Sequence, residues 1–198
     1  NISIAKKISN GLIRNGHDVI DVSDRDVVRL NRGLKNLNRG TNYFNSLLLE
    51  TIDNYKPEGL ILGHVNNLDV KTLEIIKKKH KNIKLGQWFE DNLSKNGPDP
   101  ITNNNNFFKY IDYLDHNFIT SDPVNLGLSK YNCSYLPIPV DKNIENLKCY
   151  NNKNPIKDLF FTMSHGVNKG VLKRNKIDVR EPFVKELISK NKDIIFDI

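Results

Sequence analysis

"GLILGHVNNLDVKTLEIIKKKHKNIKLGQWF", residues 59–89, decides the fold. It opens on a continuous apolar run of strand length, Gly59–Gly63, and closes on a second strand-like segment, Ile83–Phe89. Between them "LDVKTLEIIKKKH" has the period of a helix, opened by Asn67 or Asp69. Neither apolar run alternates cleanly with polar residues, which fits strands buried on both faces. Strand, helix, strand at this spacing predicts a βαβ unit and a parallel sheet.

The same rhythm continues in both directions. Upstream, "NISIAKKISNGLIRNG" reads as a helix, with Ile4, Ile8 and Leu12 at helical spacing and Gly16 as its C-terminal glycine. Val19–Val22 reads as a strand, and "NYFNSLLLETIDNY" as a helix stopped by Pro57. Downstream, "NFFKYIDYLD" reads as a helix and "HNFIT" as a strand. A short helix is predicted from about Asp122 to Tyr131, and "SYLPIPV" as a last extended segment. A polar, Asn-rich stretch, residues 141–157, then reads as a linker. After it the rhythm restarts: strand "DLFFT", a turn "MSHGVNKG", helix "REPFVKELISKN", strand "DIIFDI". The expected organisation is a Rossmann-like domain over 1–140, with a mainly parallel sheet and helices on both faces. The linker 141–157 follows, and then an incomplete second α/β unit over 158–198. A parallel domain normally opens on a strand and this chain opens on a helix, so a piece of a longer protein is expected.

Composition narrows the class. The 198 residues are 38% hydrophobic and 27% charged, with no window approaching the ~20 apolar residues of a spanning helix. Cys133 and Cys149 have neither zinc nor disulfide-framework spacing. A cytoplasmic setting is the simplest reading, and the net charge of +7 suits anionic ligands or peripheral association with an anionic membrane. The lysines are scattered apart from a run at Lys77–Lys79, where a helix end favours cations. Lys and Arg are not interleaved with aromatics, so nucleic acid is not an expected partner. There is no GxGxxG, P-loop, GxSxG or HExxH, which disfavours dehydrogenase, NTPase and hydrolase readings.

Chemistry-bearing residues fall just after the strands. Gly63, His64 and Asn66 follow the first run, Gln87, Trp88, Glu90 and Asp91 close the second, and Ser164, His165, Gly166 and Lys169 follow the last. Open α/β sheets bind ligands outside the carboxyl ends of their strands. His64 has the chemistry of a general base near neutral pH, and Glu90 and Asp91 that of a base or a hydroxyl binder. Trp88 can stack on a sugar or base, or sit in the core. His116 stands at the wrong end of its strand and reads as structural. "DRD", residues 24–26, has the spacing of a metal-diphosphate site, but two acids two apart are common by chance and no metal is expected.

Three stretches together carry a resemblance. "ISNGLIRNGHDVIDVSDRD" resembles the first helix and second strand of GT-B glycosyltransferases. "LPIPVD" (Leu136–Asp141) looks like the end of their N-terminal domain. "KDLFFTMSHGVNKGVLKRNK" with "REPFVKEL" resembles the start of their nucleotide-sugar domain, closest to the spore-maturation-protein-like group. The resemblance implies two Rossmann-like domains facing a cleft, with sugar transfer from a nucleotide-sugar to a saccharide or other acceptor and no metal or other cofactor. It implies His64, Glu90 and Asp91 as catalytic residues and Trp88 beside them on the acceptor side. It places Ser164, His165, Gly166, Lys169 and Arg174 on the donor diphosphate, and implies that this chain lacks the rest of the donor site. The competing expectation is a non-catalytic, receiver-like α/β module that binds a ligand or a partner.

Overall fold

The computed structural model describes residues 4–33, 38–97, 99–148, 151–162 and 180–197, together with the backbone of 167–168 and 171–172. The chain forms two compact units, Asn1–Glu145 and Asn146–Ile198. The first is a Rossmann-like α/β fold: a parallel sheet of four strands flanked by helices. Its strands are β1 (Gly59–Leu62), β2 (Lys84–Phe89), β3 (His116–Ile119) and β4 (Cys133–Tyr135), in the spatial order β1-β2-β3-β4. The register sets Leu60 beside Leu85, Leu62 beside Gln87 and Phe89 beside Ile119, so these side chains share one face.

The helices are α1 (Ile4–Arg14), α2 (Asp24–Leu30), α3 (Arg39–Tyr55), α4 (Val70–Lys79) and α5 (Pro100–Phe108). Leu62 and Leu85 meet Phe44, Leu48 and Ile52 of α3 and Leu73 and Ile76 of α4 in one cluster. Phe89 and Ile119 meet Phe107 of α5 and Ile111 in a second. Leu73, Ile76 and Phe107 have no exposed surface at all. Full burial of such a side chain is worth about 1.5–3 kcal/mol.

Local chemistry explains the ends. Past α1, Gly16 takes φ 87°, its N–H reaches Ile13 O, and the His17 N–H reaches Leu12 O, a Schellman stop that needs a residue tolerant of positive φ. The Ser23 side chain caps α2 by accepting from the Asp26 N–H. Asp69 is the N-cap residue of α4, and Lys77, Lys78 and Lys79 fill its last turn. α3 stops at Tyr55, one residue before the left-handed Lys56 (φ 51°) and two before Pro57.

Four expectations change. Val19–Val22 lies in a segment without regular structure: residues 17–23 have no ladder partner among the described residues, and Asp21 is tied to α1 through Ser9 and Lys6. The helix α5 starts at Pro100 rather than Asn106, because Asn103 and Asn104 donate to the carbonyls of Asn92 and Leu93 and so anchor a sequence of weak helical propensity. Its expected end at Asp115 is lost because Asp115 joins the sheet: its N–H reaches Leu85 O and its carboxylate accepts the Leu85 N–H. The predicted helix 122–131 is a run of turns ending in one 3-10 turn, Ser129–Tyr131.

The first unit also runs past residue 140. Asp141 is fully buried and accepts from Asn10 Nδ2 (2.9 Å), from the Arg14 guanidinium (3.1 Å) and from the Asn143 N–H (2.9 Å). Asn10 leads the causes that hold its carboxyl below the usual range. Residues 141–145 therefore belong with α1 rather than with a linker. In the second unit β5 (Leu159–Phe160) pairs in parallel with β8 (Phe196–Asp197), with α6 (Arg180–Lys190) between them, as the restarted rhythm predicts. A hairpin of β6 (Val167–Asn168) and β7 (Val171–Leu172) lies between β5 and α6.

Two substitutions test this packing. Asn45 of α3 is buried and fully bonded: Nδ2 donates to Thr41 O and Asn67 O, and Oδ1 accepts from the Asp69 N–H and the Thr72 hydroxyl. Asn45→Ala orphans those groups and should cost about 2–3 kcal/mol in urea unfolding. A Cβ on Gly40 would lie 2.4 Å from Val28 O. Gly40→Ala must therefore move α2 off α3, with an expected loss of about 1–3 kcal/mol by the same measurement.

Candidate functional site

The carboxyl ends of β1 and β2 carry the site. The loop after β1 brings His64 towards β2, whose chain continues into Glu90 and Asp91. His64 Nδ1 lies 3.5 Å from Asp91 Oδ2, at ion-pair range. The imidazole lies near-parallel to the Phe89 ring, at 6.4 Å between centroids. No described residue bonds the other imidazole nitrogen, Nε2, so the ring has Asp91 near one nitrogen and no described partner at the other.

Glu90 is half-buried beside this pair. Burial pushes its carboxyl above the ordinary glutamate range, Asp91 adds to the rise, and His64 and Arg25 oppose it. The three residues expected to be catalytic, His64, Glu90 and Asp91, thus lie together.

The loop that holds His64 is braced from below. Asp24 is buried, and its Oδ2 accepts from the Asn66 N–H (3.0 Å), the Asn67 N–H (3.2 Å) and Asn67 Nδ2 (2.8 Å). The first acid of "DRD" is therefore a loop brace. Asp26 donates its N–H to the α2 cap.

Trp88 is corrected. It is only 2% exposed, and its indole N–H points to Leu136 O at 3.5 Å, so it has no free face for a ligand to stack on. Strand alternation also turns Trp88 to the opposite face from Gln87 and Phe89, away from the cleft that they line. His116 is structural as expected, bonded through Nε2 to the Ser134 hydroxyl at 2.9 Å and packed against Phe118. Ser164, His165, Gly166, Lys169 and Arg174 lie outside the described residues.

Arg25 and Asn106 had no place among the expected site residues, and Gln87 was named at its strand end without a role. Arg25 acts electrostatically on Glu90. Gln87 and Asn106 line a small cleft with His64, Asn66, Phe89 and Tyr110. The available signal was Gln87 itself, an amide inside an otherwise apolar strand. The cleft encloses about 10 Å³, room for roughly one water molecule.

No family model, curated protein or solved structure matches this chain. Among the described residues no three His, Cys, Asp or Glu side chains gather as a metal-sized cluster, and no helix is long and apolar enough to cross a membrane.

The acidity of Glu90 sets a pH test. Its folded-state pKa is raised, so the folded protein binds this proton more readily than the unfolded chain does. Stability therefore falls as pH rises from the ordinary glutamate value of 4.5 through the raised one. Glu90→Gln removes that loss. Its melting temperature should exceed that of the unchanged protein near neutral pH, and the gain should vanish at about pH 4.

Proposed function

We propose that residues 1–145 are the acceptor-side domain of a glycosyltransferase that moves a sugar from a nucleotide-sugar to a hydroxyl-bearing acceptor. One observation carries the reading: His64 paired with Asp91 beside a desolvated Glu90, at the carboxyl end of a parallel sheet. The resemblance of the sequence to GT-B enzymes supplies the substrate class.

In this mechanism the acceptor hydroxyl gives its proton to His64 Nε2. Asp91 holds the ring through Nδ1 and stabilises the imidazolium that forms. The acceptor oxygen bonds to the anomeric carbon as the bond from that carbon to the diphosphate breaks, and the electron pair leaves with the diphosphate. The donor side falls to Ser164, His165, Gly166, Lys169 and Arg174, the residues that the resemblance assigns to it. The setting is cytoplasmic, and the net charge of +7 suits an anionic donor.

The test mixes the protein with a panel of nucleotide-sugars and saccharides and reads release of nucleoside diphosphate, with amide NMR shifts in parallel. A saccharide should shift the amides of Gly63–Asn66 and Glu90–Asp91. His64→Ala should slow release by about 10²–10⁴-fold with the melting temperature unchanged. If no saccharide shifts these amides, or His64→Ala leaves release unaltered, the reading is wrong.

A further inference from the structure

The cleft beneath His64 has an unusual floor. Gln87 is only 3% exposed, yet its amide is locked in one orientation. Nε2 donates one hydrogen to Asn117 Oδ1 (2.8 Å) and the other to Phe107 O (3.2 Å). Asn117 cannot turn over to offer a donor instead, because its own Nδ2 is bound to Tyr131 O at 2.7 Å. Both Gln87 hydrogens are therefore used, and Oε1 is left as a pure acceptor.

No described residue donates to Oε1. No fully enclosed side-chain polar atom among the described residues lacks a partner, so this oxygen opens into the cleft that Gln87 lines. A buried acceptor without a donor costs free energy unless something supplies one. The cleft has room for a single oxygen-sized group. Nε2 of His64 is a second acceptor on the same wall when Nδ1–H faces Asp91. Two acceptors on one wall favour a ligand group that brings its own hydrogen. The side chain of Asn106 has no described partner either, and offers a donor to the oxygen of that group.

We propose that this cleft is a hydroxyl-reading subsite: Gln87 Oε1 accepts a hydrogen bond from one hydroxyl of the ligand and thereby discriminates against the deoxy form. The subsite rests on the proposed saccharide acceptor for the identity of the ligand, but its chemistry asks only for a neutral hydroxyl.

The protein, ¹⁵N-labelled, is titrated with the methyl glycosides of glucose, galactose, mannose and N-acetylglucosamine, with their monodeoxy counterparts, and with ethylene glycol. One glycoside should shift the Gln87 side-chain amide and the His64 ring signals. One of its deoxy forms should bind about tenfold more weakly. Gln87→Leu should bind the parent glycoside as weakly as the unchanged protein binds that deoxy form. The comparison of deoxy forms uses the unchanged protein, so it decides the matter even if Gln87→Leu does not fold. A glycoside that shifts His64 while every deoxy form binds equally well removes the subsite and leaves the glycosyltransferase reading intact. Ethylene glycol shifting the Gln87 amide when no glycoside does keeps the subsite and removes that reading. No shift of the Gln87 amide with any probe overturns the subsite, which then holds water alone.

Discussion

The fold of the first unit depends on satisfying the backbone of one loop. Residues 63–69 leave β1 without regular structure and are partly buried, so side chains supply the partners that a ladder would otherwise give their N–H groups. Asp24 takes two of them and Asn45 a third. Both braces come from helices that precede the sheet in sequence, α2 and α3. Those helices therefore contribute more than an apolar face. They fix the path of the loop and, through it, the position of His64 opposite Asp91.

The two braces have different chemistry for a reason. Asn45 sits in the core between α3 and α4, where an amide can give and accept in equal number. It uses both capacities, with two bonds given and two accepted. Asp24 faces three donors and nothing that accepts, which a carboxylate matches and an amide would not. The same logic on the other side of β2 fixes Gln87. There two acceptors surround the amide nitrogen and no donor meets the oxygen, so the protein has completed half of the residue and left the other half to the cleft.

Most of the sheet was legible because parallel strands are apolar and short, and "GLIL", "KLGQWF" and "HNFI" announce themselves by composition. What was hidden is what depends on long-range bonds. Val19–Val22 has the residues of a strand but no neighbour to pair with. α5 has the residues of a loop, and becomes a helix because two of its asparagines hold the carbonyls of residues 92 and 93. At the site, the position of His64, Glu90 and Asp91 after adjacent strands was readable. The fate of Trp88 was not, since composition does not show which face of β2 carries the cleft; Trp88 is on the other face, against the Leu136 carbonyl.

Electrostatics separate the site from the rest of the surface. Asp53 is held acidic by Lys79 and then by His80, Asp141 by Asn10 first among its partners, and Glu145 by Lys7 before the Asp141 N–H. Each meets a cation, and Asp141 an amide donor as well. Glu90 is shifted the other way, by burial, with a second carboxylate for a neighbour. Nothing in the packing requires an acid there, because the strand has already ended and the Glu90 backbone carbonyl is taken by Thr120. There a half-buried carboxylate stands beside another acid and a histidine, the kind of perturbed group that clusters at functional sites.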